Sequence, residues 1–307
     1  MEAVVYKSTG SWYQVKTRDR QLHKVRMKGK FKIDGITSTN PIAVGDIVEI
    51  ENETDAESTV ITGIHERRNY INRVSPHNRN QHHIVASNLD QSLLFATLKD
   101  PKTSFGFIDR FLITSEAYHV PAIVVFNKTD LLGKKGQERM ELAKEIYLPI
   151  GYQLMAMSLQ EKSGVEEVMA LLKGKVTLLS GHSGVGKSTF INHLFPANQL
   201  KTQEVSGWSG KGMHTTTFAE MFDLQGGGQI IDTPGIREMG LVDISKQELA
   251  HYFPEMRRLM NDCQFNNCMH INEPGCAIKN AVNNNSIHTE RYVSYLSILD
   301  SLEVPSY

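Results

Sequence analysis

Gly181-His182-Ser183-Gly184-Val185-Gly186-Lys187-Ser188-Thr189 decides how the rest of this 307-residue chain is read. A glycine, four residues, then Gly-Lys-Ser is the spacing of a phosphate-cradling loop. The glycines let successive backbone N–H groups turn inward toward phosphate oxygens. Lys187 can reach the β- and γ-phosphates, and the Ser188 hydroxyl can ligate Mg²⁺. At ordinary residue frequencies a chain this long meets the bare pattern by chance roughly once in a hundred cases. The flanks argue further against chance. Val176-Thr177-Leu178-Leu179-Ser180 reads as a buried strand and Lys187 to Phe195 as a helix, whose N-terminus favours an anion.

Outward from this loop the pattern is α/β. Buried strands are predicted at Ser92–Thr97, Pro121–Phe126, Gln153–Met157 and Gln229–Asp232, with helices at Gly106–His119, Glu138–Leu148 and Val165–Leu172. Such alternation implies a largely parallel sheet covered on both faces. Asn127-Lys128-Thr129-Asp130 follows a predicted strand directly, at the end where parallel sheets bind ligands. A carboxylate at Asp130 accepts guanine's ring N1–H and exocyclic amine, a donor pair adenine lacks. Asn127 can bond the acceptor edge, and the Lys128 stem can cover the base. Ser158, beyond the strand ending at Met157, can offer backbone contacts to the base. Asp232-Thr233-Pro234-Gly235 ends another strand. Asp232 can hold Mg²⁺ through water, and the Gly235 N–H can sense a γ-phosphate. Between the two phosphate elements lies Gly212-Met213-His214-Thr215-Thr216-Thr217, where a threonine hydroxyl, Thr215 or Thr216, can complete the Mg²⁺ shell. Many GTPases orient the attacking water with a glutamine after Asp-x-x-Gly; here the residue is Ile236. His214 is the candidate to take that role, set against a plain solvent-facing or RNA-contacting histidine.

The ends of the chain differ from its middle. Residues 1 to about 69 carry short, partly alternating apolar runs broken by turn residues, which suggests a small closed barrel of OB type. Nine Lys/Arg stand against three Asp/Glu between Met1 and Asp34, and Tyr6, Trp12, Tyr13 and Phe31 lie among them. Such a mixture can attract and stack on nucleic acid, or can simply be barrel core and solvated surface. Arg67, Arg68, Arg73 and Arg79 follow in a stretch read as a polar linker or nucleic-acid-touching loop. At the other end, the three cysteines, Cys263, Cys268 and Cys276, cluster with His270. Three thiolates and an imidazole form a closed tetrahedral set for one structural Zn²⁺. The net charge of −1 excludes a polycation, and no apolar run suggests a membrane span or signal peptide, so a cytoplasmic protein is expected.

The five nucleotide-binding elements resemble those of translation-factor-like GTPases, but Asn-Lys-x-Asp precedes the phosphate loop here. That order, the barrel and the Cys-x4-Cys-x-His-x5-Cys tail resemble the ribosome small subunit-dependent GTPase A family of bacteria, over nearly the whole chain. The resemblance implies a circularly permuted α/β P-loop GTPase domain (70–240) between an all-β OB-fold RNA-binding domain (1–69) and a mostly helical zinc-binding domain (241–307). It implies GTP hydrolysis on the small (30S) ribosomal subunit late in assembly, with 16S rRNA as a partner and Mg²⁺ accompanying GTP. The phosphate loop from Gly181 to Thr189, Asn127, Lys128 and Asp130, the threonines after His214, Asp232 to Gly235 and the four zinc ligands occupy the family's motif positions. Ser158-Leu159 stands where Ser-Ala is commoner. Nothing calls for an oligomer, so a monomer is expected. Two other readings compete: an RNA-binding protein using GTP as an on/off ligand with little turnover, and a P-loop small-molecule kinase, against which Asn-Lys-x-Asp argues.

Overall fold

The computed structural model describes residues 1–28, 41–52, 59–74, 82–195, 219–233 and 244–302. Strands β1 (Glu2–Ser8), β2 (Tyr13–Thr17), β3 (Leu22–Met27), β4 (Ile47–Asn52) and β5 (Thr59–Ile64) form the N-terminal barrel. Alternate residues point inward, so Val5, Tyr13, Val15, Val25, Val48, Ile50 and Ile61 make one apolar core. Strand β1 pairs with both β2 and β4, and a parallel β3–β5 pair completes the closure. That is the OB-like arrangement expected from the sequence, although β5 was not among the strands read there.

The stretch expected to be a polar linker is instead a hairpin, β6 (Tyr70–Val74) with β7 (His82–Ser87). Its approach is pinned to the barrel. The Arg67 guanidinium donates two 2.6 Å bonds to the Asp46 carboxylate, which is fully buried and also accepts from Ser87 Oγ. Arg68 pairs with Asp90. Arg67 is therefore engaged within the fold, and the expectation that it touches nucleic acid is corrected; Arg68 stays 58% exposed beside Asp90. Arg79 and Phe31 lie outside the described residues.

The central sheet runs β10 (Gln153–Ala156), β9 (Ala122–Phe126), β8 (Gln91–Ala96), β11 (Val176–Ser180), β13 (Gln229–Asp232) and β12 (Glu220–Asp223), all parallel except β12. Strand β8 is buried at every residue because helices cover both faces. Helices α1 (Phe105–Ala117) and α2 (Lys134–Tyr147) cover one face through Ile108, Phe111, Ala143 and Ile146. Helices α3 (Val165–Leu172) and α4 (Lys187–Leu194) cover the other through Val168, Leu172, Phe190 and Ile191. The outer strand β12 pairs with β1 where Lys7 opposes Glu220, so sheet and barrel share one continuous ladder.

Among its described residues the tail holds the α-helices α5 (Pro254–Arg257), α6 (Ala277–Asn283) and α7 (Thr289–Ser301). Its core of Leu249, Phe253, Ile278, Tyr295 and Ile298 takes in Ile113 of α1. Arg291, buried like its partners, spans the seam. It donates to Glu255 at 2.6 Å and to Asp109 of α1 at 2.7 Å. No helix is long and apolar enough to cross a membrane among the described residues.

Candidate functional site

The phosphate loop leaves β11 at Ser180 and enters α4 at Lys187. Gly181 and Gly186 adopt φ of 138° and 97°, where an L side chain is strained. A Cβ would also collide there, 2.3 Å from the Phe95 carbonyl oxygen at Gly181 and 2.2 Å from Asn127 Nδ2 at Gly186. Lys187 turns its ammonium back over the loop, donating to the carbonyls of Gly181 (2.5 Å) and His182 (3.1 Å). Burial lowers the Lys187 pKa and nearby Asp232 opposes that shift. The His182 ring stacks on Phe107 of α1, with centroids 3.6 Å apart.

The loop from Asn127 to Asp130 reaches the same edge of the sheet. Asn127 donates from Nδ2 to the Val185 carbonyl at 2.8 Å, a direct tie between the two loops. Lys128 takes a left-handed backbone (φ 59°) and donates to the Asp100 carbonyl, while the Thr129 N–H bonds to Met157. The Ser158 hydroxyl donates to Asp130 Oδ1 at 2.5 Å and accepts the Glu161 N–H, so it orients the carboxylate. Sequence reading assigned Ser158 only a backbone role. A side-chain bond across 28 residues leaves no local signal.

Asp232 ends β13 beside this edge. Burial pushes its pKa up to about 6; Lys187 and the Thr233 N–H work against the shift, and Glu220 adds to it. A divalent cation alongside favours the carboxylate form, which suits a Mg²⁺-bearing position. Asn127 Oδ1 and Thr233 Oγ1 are buried with no partner among the described residues, so each keeps hydrogen-bonding capacity for a ligand. Ser183, Gly184, Val185, Ser188 and Thr189 sit within the same loop and helix start. His214, Thr215, Thr216, Gly235 and Ile236 lie outside the described residues.

Far along the chain, Cys263, Cys268, His270 and Cys276 bring one ligand atom each to within 4.8 Å of one another. His270 Nδ1 lies 3.6 Å from Cys263 Sγ and 3.4 Å from Cys276 Sγ. Such spacings suit atoms at the corners of a tetrahedron about Zn²⁺, with its Zn–S bonds of about 2.3 Å. Tyr292 and Tyr295 donate to the His270 and Met269 carbonyls, fixing the ligand loop against α7. The donor set, soft and fully supplied by protein, fits a structural zinc.

Comparison with known proteins agrees with this geometry. The RsgA GTPase family profile matches residues 64–242, and the RsgA N-terminal domain profile matches residues 2–60. A Flavobacterium psychrophilum protein named small ribosomal subunit biogenesis GTPase RsgA is 49% identical over 98% of this chain and 93% of its own. A Bacteroides thetaiotaomicron relative, named small ribosomal subunit biogenesis GTPase RsgA 2, is 47% identical over 100% of this chain and 99% of its own. Among solved structures, YjeQ from Thermotoga maritima superposes with a TM-score of 0.78 at 30% identity, covering 98% of both chains. YloQ, described as a circularly permuted GTPase, gives 0.74 at 26% identity over 100% of this chain and 96% of its own. The permuted order, the barrel and the full-length matches converge: the chain belongs to the RsgA GTPase family.

Proposed function

We propose that this chain is a GTPase of small ribosomal subunit biogenesis, which binds the 30S particle and 16S rRNA and hydrolyses GTP when docked there. The observation that carries the reading is the Asn127–Val185 bond of 2.8 Å, which fixes the guanine-reading loop against the phosphate loop. In this reading Asp130, held by Ser158, accepts the two guanine donors. The loop from Gly181 to Thr189 cradles the phosphates. Ser188, Thr216 and Asp232 hold the Mg²⁺ that neutralises phosphate charge, and Gly235 contacts the γ-phosphate. Zinc on Cys263, Cys268, His270 and Cys276 is structural, with no position left open for substrate. The chain divides at about residues 69 and 240 into barrel, GTPase and zinc domains, and acts as a cytoplasmic monomer.

Support for an RNA-facing barrel comes from charge and exposure. Trp12 is 42% exposed with Lys24 lying over its ring, while Tyr13 is buried core. Lys7, Lys16 and Arg18 are already paired with Glu220, Asp223 and Glu2, so the basic excess available to phosphate is smaller than the sequence count. Ile236 cannot position water, so the free protein should turn over slowly, roughly 10⁻⁴ to 10⁻² s⁻¹. Docking should raise the rate by placing polar groups in advance. His214 is our candidate for one of them, and His214→Ala should cut the stimulated rate about ten-fold or more. The test is GTP hydrolysis with and without purified 30S particles. Stimulation by 30S, absent with ATP, is the expected result. A rate unchanged by 30S would overturn the reading in favour of a GTP-dependent binding protein.

A further inference from the structure

The junction of barrel and sheet lines up a row of charges that ends at the nucleotide site. Lys7 opposes Glu220 on neighbouring strands, and Glu220 opposes Asp232 on the next pair. Residues directly opposed in antiparallel strands put their side chains on the same face, with Cβ atoms about 4.5–5.5 Å apart. The face is the one on which Phe222 and Ile230 pack with α4. Across β1, β12 and β13 the signs therefore run plus, minus, minus, and the Lys187 ammonium, bonded to the phosphate-loop carbonyls, acts electrostatically on Asp232.

Two carboxylates directly opposed are unfavourable unless cations flank them. Lys187 serves Asp232. Lys7 Nζ serves Glu220 at 2.9 Å, with the two side chains only 20% and 13% exposed, so water screens the pair weakly. Lys7 belongs to the barrel, more than 200 residues before Asp232 in the chain, and no motif marks it. We propose that Lys7 is a positioning residue of the GTP site: by neutralising Glu220 it keeps a second negative charge from acting on the triphosphate bound beside Asp232. The barrel would thereby contribute directly to discrimination between GTP and GDP, since the γ-phosphate adds charge where Glu220 would be felt.

The inference rests on the GTP-site reading above, and one experiment separates the two. Calorimetry on the full chain in Mg²⁺ would compare a non-hydrolysable GTP analogue with GDP for the parent, Lys7→Met, Lys7→Arg and the double variant Lys7→Met/Glu220→Gln. Lys7→Met should weaken the triphosphate about ten-fold, the scale of one poorly screened like charge nearby, and GDP by much less. Lys7→Arg should keep the parental ratio. The double variant should return to it, although it still lacks the ion pair. If Lys7 only fastened barrel to sheet, the double variant would stay as impaired as Lys7→Met and both nucleotides would weaken together; that result overturns the inference. So does a Lys7→Met variant with the parental ratio. A parent that binds neither guanine nucleotide would instead refute the GTP-site reading itself.

Discussion

The GTPase sheet is joined to its two neighbours by different physics. The barrel meets it along a strand edge, through the β1–β12 ladder and part-exposed pairs: Lys7 with Glu220, and Lys16 and Tyr6 with Asp223. The C-terminal tail meets it through buried packing on α1 and through Arg291, which bonds to the carboxyl groups of Asp109 and Glu255 with all three side chains at most 5% exposed. These barrel pairs, with side chains 13–27% exposed, lie nearer to water than the tail's triad and are remade more readily. A buried triad is costly to assemble and costly to break on one side. The contrast suggests an orientation of the tail fixed on α1, and a barrel whose attachment is adjustable. Helix α1 carries Phe107 against His182 of the phosphate loop and, two residues on, Asp109 against Arg291, so loop and tail are fixed by one rigid element.

The sharpest way to break the contrast is to remove one of the four proposed zinc ligands. Cys276→Ser should lose the metal and melt the tail, because structural zinc contributes on the order of 10 kcal/mol or more to such folds. GDP affinity should persist, since the sheet buries its own core. Metal analysis and a GDP titration on the same preparation check both halves. Next in size is Arg291→Met, which strands two buried carboxylates and should cost about 3–5 kcal/mol in chemical denaturation. Adding Asp109→Leu and Glu255→Met should recover much of that loss, because apolar side chains need no partner. If Arg291→Met alone is harmless, the seam is not the rigid junction described here.

The smallest effect belongs to the barrel. Lys16→Met should cost about 1 kcal/mol or less, as expected for a part-exposed pair. The same junction has a pH signature. Burial pushes the Asp223 pKa up, but bonds from Lys16, Tyr6 and Gln229 together outweigh it and leave it below the ordinary value. An acid held low when folded adds stability above its unfolded pKa and loses it as pH falls through the folded one. The Lys16–Asp223 contribution should therefore be present at neutral pH, begin to fall below about pH 4, and be gone once pH drops below the lowered folded value. Comparing parent and Lys16→Met by thermal melts across that range measures it; a difference that persists in acid would contradict the assignment.

What was legible in the sequence was local. Gly181 to Thr189 and Asn127 to Asp130 are contiguous because one backbone turn must aim several groups at one ligand. Strands β11 and β13 and helix α3 fall where the apolar pattern put them. The cysteine spacing likewise brought four ligands together. Illegible were partners set by tertiary approach: Arg291 finds Asp109 across 182 residues, and Arg67 finds Asp46 across 21. Arg67 was read as part of a polar linker or nucleic-acid-touching loop because an arginine among others in a polar stretch carries no mark of a buried carboxylate waiting elsewhere. The hairpin β6–β7 and strand β12 were missed for another reason. They are short, and polar residues such as Asn72, Arg73, Glu220 and Asp223 break the alternation that would reveal a strand.

The central claim is that the edge formed by Asn127, Asp130, the phosphate loop and Asp232 is a guanine-nucleotide site. Calorimetric titration of the full chain with GTP, ATP and XTP in Mg²⁺, for the parent and for Asp130→Asn, tests it most directly. The parent should bind GTP at least a hundred-fold more tightly than ATP, the scale of two lost charge-assisted hydrogen bonds at about 1.5–3 kcal/mol each. Asp130→Asn should weaken GTP and favour XTP, whose ring carries an oxygen where guanine has its amine. Equal affinity of the parent for GTP and ATP would contradict the account.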